Sequence, residues 1–311
     1  MTTTGSTAFN LDMNDLIEEA FERCGLEVRS GYDFKTARRS LNILTIEWAN
    51  RGINLWTVEQ GQIVMNTQQA LYPMPIDTID ILDASTRTSN GSQSNQTDIN
   101  LSRISEPTYM TIPNKNTTGR PVQMWYNRQS GGVATIPQSN LTVDITSTTQ
   151  TTIDLQNVSN LPTQGFVNIL GETIGYQNIV GNQIVNAWRG QNGTAANSFV
   201  PAGTDVYVNN LPCINVWPTP NPPGDQYTLV YYRMRRIQDA GNGIRTQDIP
   251  FRFIPCMVAG LSYYLGAKIP SVDPGRIQML KAEYEQQFQL AADEDRETAA
   301  VRFVPRNMFY R

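Results

Sequence analysis

The sequence predicts an α+β protein: helices contributed by both terminal regions, a β-platform, and an inserted all-β module of sandwich or barrel type. Three observations predict this class. Apolar residues recur at helical spacing near both ends of the 311-residue chain. Between those regions the spacing changes to the two-residue period of strands, and from about 132 to 209 short runs alternate with Gly, Pro and Asn. The composition, 40 % apolar and only 17 % charged with abundant Asn, Gln, Ser and Thr, belongs to a folded β-rich chain rather than a disordered one.

Residues 10–25 set Ile17, Ala20, Phe21 and Cys24 on one helical stripe, with Gly25 as the stop. A second helix is expected from Asp33, read as its N-cap, through Phe34, Ala37, Leu41, Leu44 and Trp48 to Gly52, the two forming an antiparallel pair. Strand spacing follows in "LWTVEQGQIVMNT" and "ALYPMPIDTIDILDAS", read as a hairpin with Gly61 at a turn and with Pro73 and Pro75 keeping their strand at an edge. Residues 86–100 are polar and without periodicity, and are read as an exposed loop, with a short helix near 103–111. In the inserted module, Val180-Gly181-Asn182-Gln183 suits a type II′ hairpin turn. After a strand at "TLVYYRMRRI", Pro255 opens a helix that is apolar on nearly every side and therefore belongs at the centre of a core. Asp273-Pro274 then open a long amphipathic helix with Ile277, Leu280, Tyr284, Phe288 and Ala291 on one face. These readings divide the chain into a discontinuous helical and β core (1–131 and 210–300), the inserted module (132–209) and an extended C-terminal segment (301–311).

The formal net charge is -4, so no whole-molecule basic field concentrates nucleic acid. Histidine is absent from the sequence, which removes the usual base of Ser and Cys triads and the commonest metal ligand. The carboxylate sets Asp77/Asp80/Asp83 and Asp293/Glu294/Asp295/Glu297 read as solvated faces rather than acid–base pairs. Cys24, Cys213 and Cys256 are widely spaced and read as buried, reduced thiols. No enzymatic activity and no cofactor are expected. The six Asn-x-Ser/Thr sites follow from composition, and neither a signal peptide nor a membrane span is expected. Synthesis in a cytoplasm follows from that reading.

Two groups of residues stand out as candidate contacts. Arg233, Arg235, Arg236 and Arg245 form the most basic local cluster, with Arg252 nearby, and are candidates for inter-subunit ion pairs or DNA phosphate. The second group is the ending "AVRFVPRNMFYR", in which Arg302, Phe303, Val304, Pro305, Arg306, Phe309, Tyr310 and Arg311 combine apolar and cationic character. Ordering twelve residues costs about 1–2 kcal/mol each, and burying the apolar side chains returns about 1.5–3 kcal/mol apiece. The sums nearly cancel, so a partner groove with main-chain hydrogen bonds and carboxylates would decide the order of this segment.

Four stretches, "LTIEWANRGINLWTVEQ", "RISEPTYMTIPNKNTTGRPVQMWYNR", "NVWPTPNPPGDQYTLVYYRMRR" and "IPFRFIPCMVAGLSYYLGAKIP", together resemble the head-to-tail adaptors of short-tailed bacteriophages, the tail tubular or tail accessory proteins. The resemblance covers roughly 11–83, 101–130 and 211–306. It implies a structural virion protein at the head–tail junction, a ring of twelve copies beneath the portal protein. The helical domain would face the portal, with 301–311 as the docking arm, and the β region would face the tail nozzle protein. Such a ring helps retain packaged double-stranded DNA and lets it slide through on ejection, which fits the missing basic field. The inserted region is similar to small β modules of phage structural proteins at Gly165, Gly171, Glu172, Tyr176, Arg189, Gly190, Gly193 and Thr194. Two other classes compete: a receptor- or carbohydrate-binding tail component whose working end is the β module, and a carboxylate-only glycanase.

Overall fold

In the computed structural model, which describes residues 11–53, 55–129, 131–221, 227–241 and 246–295, the helices are α1 (Met13–Cys24), α2 (Gly31–Asn50), α3 (Glu106–Met110), α4 (Ile254–Lys268) and α5 (Pro274–Glu294). The chain divides into two units: one drawn from the sequence up to Thr57 and from Ile237 onward, the other running Val58–Arg236. The α+β class expected from the sequence is the one observed, with terminal helices packed together and antiparallel sheets between them.

In the helical unit, α1 begins where Asp12 Oδ1 accepts the Asp15 N–H at 2.9 Å and stops at Gly25, whose φ of 76° is left-handed backbone that a Cβ disfavours. Helix α2 starts earlier than expected. Ser30 is the cap, and Asp33, expected in that role, stands at the third helical position, where its carboxylate accepts from the Ser30 N–H at 3.0 Å. The reciprocal pairing satisfies donors that a cap at Asp33 would have left exposed. Helix α4 has residues buried around most of its circumference because α1, α2 and α5 all pack against it. Its Gly260 is where they press closest: a Cβ there would lie 2.9 Å from both Leu44 and Tyr284. Helix α5 opens as expected, the Asp273 carboxylate accepting from the Arg276 N–H at 3.2 Å.

The second unit contains four sheets. One four-stranded antiparallel sheet runs in the order Val58–Val64, Thr228–Arg235, Thr78–Thr88, Thr97–Asn100. Here two expectations fail. Gly61 is no turn: it sits mid-strand opposite Tyr231, whose ring occupies the space a side chain would need. The strand Val58–Val64 accordingly pairs with Thr228–Arg235 instead of with its sequence neighbours. Residues 86–100 are not one loop either, because Arg87 and Asp98 face each other across a strand pair, joined by two hydrogen bonds of 2.7 Å, and only 89–96 turn back. The other four-stranded sheet orders Leu71–Pro73, Cys213–Trp217, Gln123–Asn127 and Ser102–Arg103, with the proline-ended strand at an edge as expected. The helix expected near 103–111 is α3, capped by Ser105.

The span 139–208 supplies a five-stranded and a three-stranded sheet around a core that includes Ile153, Val167, Ile169, Ile174, Tyr176, Ile184 and Val206. Gly181, with φ of 58°, makes the tight turn between Val180 and Gln183 that the sequence foretells. Phe166 and Trp188 of this span pack with Ala70, Leu71, Leu211 and Cys213, so the inserted strands share a small apolar cluster with the platform.

Candidate functional site

The candidate arginines lie on and just after the strand Thr228–Arg235. Arg233 donates to Asp77 Oδ1 at 2.6 Å and to Glu59 Oε2 at 2.8 Å, while Arg235 Nε donates to Glu59 Oε1 at 2.6 Å. Residues two apart on a strand share a face, which is why one glutamate on the neighbouring strand serves both. Their side chains are only 12 % and 13 % exposed. Burial works against the Arg233 charge, but Asp77 and Glu59 outweigh it and hold its pKa above the ordinary guanidinium value. Arg236 is exposed, and its N–H donates to the Asp77 carbonyl at 2.8 Å. Arg245 and the arm residues Arg302, Phe303, Val304, Pro305, Arg306, Phe309, Tyr310 and Arg311 lie outside the described residues.

Three of the acids read as solvated, Asp77, Asp80 and Asp295, are ion-paired. Asp77 pairs with Arg233, and Asp80 meets Arg103 and Arg128 at 2.8 and 2.7 Å. Asp295 is 2 % exposed against Arg252 at 3.0 Å. Local spacing does not reveal these partners, because each arginine comes from a distant part of the chain. The three cysteines are buried and free, and burial pushes the Cys213 and Cys256 thiols up to about 12, away from nucleophilic use.

Of the β-module residues named from the sequence, Glu172, Arg189, Gly190 and Thr194 come together at one buried ion pair. Arg189 meets Glu172 through two contacts of 2.7 Å, the side chains being 5 % and 1 % exposed. Glu172 also accepts the Gly190 and Asn197 N–H groups at 2.9 and 2.8 Å, and Arg189 donates to the Ser147 and Asn197 carbonyls. Gly190 is left-handed at φ 59°, and a Cβ there would lie 3.0 Å from the Thr194 carbonyl oxygen. Burial alone would raise the Glu172 carboxyl; Arg189 and the two amides outweigh it and hold the group below the usual glutamate range. With both partners satisfied this motif is a structural clasp.

Two outward stripes mark the helical unit. On α2, Tyr32, Arg39, Ile43 and Ile46 are exposed, with Lys35 beside them. On α5, Met279, Gln286, Leu290 and Asp293 are exposed at the same spacing of seven, four and three residues. That spacing keeps each set within roughly 60° of arc on its helix. The first stripe is apolar and basic, and the second is apolar with one acid, Asp293, whose Oδ1 accepts from Gln289 Nε2 at 3.2 Å.

The second unit also holds a cleft of about 610 Å³. Six carboxamides, three threonines, Ala187 and Trp188 line it, without an ionisable side chain among them. The platform contributes Asn66, Gln68 and Asn116, and the inserted span contributes Gln177, Asn178 and Asn186. Gln177 Nε2 donates to Asn116 Oδ1 at 3.1 Å, joining the two walls. Apart from Asn116, which stands in an Asn-x-Ser/Thr site, the carboxamides of this cleft carry no motif in the sequence.

In comparisons with known proteins, no family model matches the sequence, and no curated protein matches it.

Proposed function

We propose that this protein is a structural virion component, a ring-forming head-to-tail adaptor that docks under the portal, helps retain packaged DNA and carries the tail nozzle. The observation that carries the reading is the pair of outward stripes on α2 and α5. They share a heptad-like spacing suited to helix-on-helix packing, and they differ in charge. Different but complementary faces on one protomer make a heterologous contact, and a heterologous contact that closes makes a ring. The sequence resemblance to adaptors of short-tailed phages supports the same reading.

The electrostatics suit a conduit. A net charge of -4 and the pairing of Arg233 and Arg235 with carboxylates leave little to hold passing phosphate, so DNA slides instead of binding. The proposed arm, 301–311, adds a contact to the portal that is multiplied over the copies of a ring. Co-sedimentation with rings of its portal protein tests the proposal: the full chain pellets with the rings, and a chain lacking 301–311 pellets much less. Failure of the full chain to pellet with the rings contradicts the adaptor reading; undiminished binding by the shortened chain rejects the arm.

A further inference from the structure

We propose that the amide-lined cleft of the second unit binds an uncharged oligosaccharide. The lining is the first argument. Sugar hydroxyls both donate and accept, and so do carboxamides, whereas an anionic or phosphorylated ligand would call for Arg or Lys, which the described residues of this wall lack. Trp188 supplies an aromatic surface for the C–H face of a pyranose, and it is anchored by packing against Phe166 and its neighbours. The volume, about 610 Å³, falls in the range of small-molecule sites.

Backbone geometry is an independent argument. Gln68 and Asn186 stand on different walls of the cleft, and both are left-handed, with φ of 60° and 53°. Such residues are held against a conformational cost, and they concentrate at ligand clamps. The Gln68 N–H donates to the Pro220 carbonyl at 2.8 Å, which locks that turn. The carboxamides of Gln68, Asn178 and Asn186 make no hydrogen bond to the described residues, so their donors and acceptors are available to a ligand.

The test uses the full chain on an array of uncharged and anionic glycans, followed by titration of the strongest uncharged binder with tryptophan fluorescence as the readout. Binding confined to uncharged glycans is expected. Asn178→Ala should weaken it about 5-fold, the worth of roughly one hydrogen-bonding group. Gln68→Gly is the sharper variant, since it removes the carboxamide while relieving the left-handed backbone: the melting temperature should not fall, and affinity should drop by a similar factor. Absence of binding to every uncharged glycan, preference for anionic ones, or unchanged affinity in both variants overturns the proposal.

Discussion

The indole N–H of Trp48 donates to the hydroxyl of Tyr284 at 3.1 Å, joining helices α2 and α5 across 236 positions of sequence. Both rings are buried, so each polar atom depends on the other. Tyr284→Phe leaves the indole N–H without its partner and should cost about 1–3 kcal/mol. Urea unfolding followed by helical circular dichroism checks this; an unchanged midpoint would show the bond to be dispensable.

Gly260→Ala tests how tightly the helical unit is packed. The added carbon would meet Leu44 and Tyr284 at 2.9 Å from two different helices, and overpacking of this kind costs about 1–3 kcal/mol. Gly52→Ala offers a contrast, since its space is open and only its left-handed φ of 82° resists the change. Thermal melts of the two variants should show Gly260→Ala as the more damaging.

Acid should loosen the inserted strands through Glu172. Its folded pKa lies below the ordinary glutamate value of 4.5, so its contribution to stability is fully present above that value. As pH falls below 4.5 the unfolded chain takes up a proton first, and the contribution is lost as pH falls through the lowered folded value. Glu172→Gln removes this part of the acid dependence. It also leaves Arg189 buried without its counter-charge, at a cost of about 3–5 kcal/mol at neutral pH. Urea midpoints measured from pH 7 to pH 3 for both proteins decide the matter.

Ile43→Asp with Ile46→Asp should abolish self-association and leave the fold intact. Both side chains are exposed on α2, and surface changes of this kind usually alter stability by no more than about 0.5 kcal/mol. Light scattering beside a thermal melt separates the two effects. Loss of the fold would place these residues in the core instead.

Periodicity and chain punctuation made the helical unit legible. The stripe of α1 with its Gly25 stop, the all-round apolar α4 and the Asp273-Pro274 opening of α5 each stand in the sequence as they do in space. What depended on distant partners stayed hidden. Gly61 reads as a turn until Tyr231 is seen to need its space, and Asp77 reads as solvated until Arg233 arrives from a strand 156 positions away. Arg87 and Asp98 conceal a strand pair inside a polar stretch, because cross-strand charge pairing has no local period. The cleft is the least legible feature of all, being assembled from single amides of separate segments.

In the proposed adaptor, protomers join side by side through unlike helical faces into a ring that meets a portal. Electron microscopy of the purified full chain mixed with the proposed portal partner tests that assembly. Closed rings stacked coaxially on the portal, disrupted by the Ile43/Ile46 double substitution, are the predicted result. Protomers that stay single beside unoccupied portal rings would contradict it.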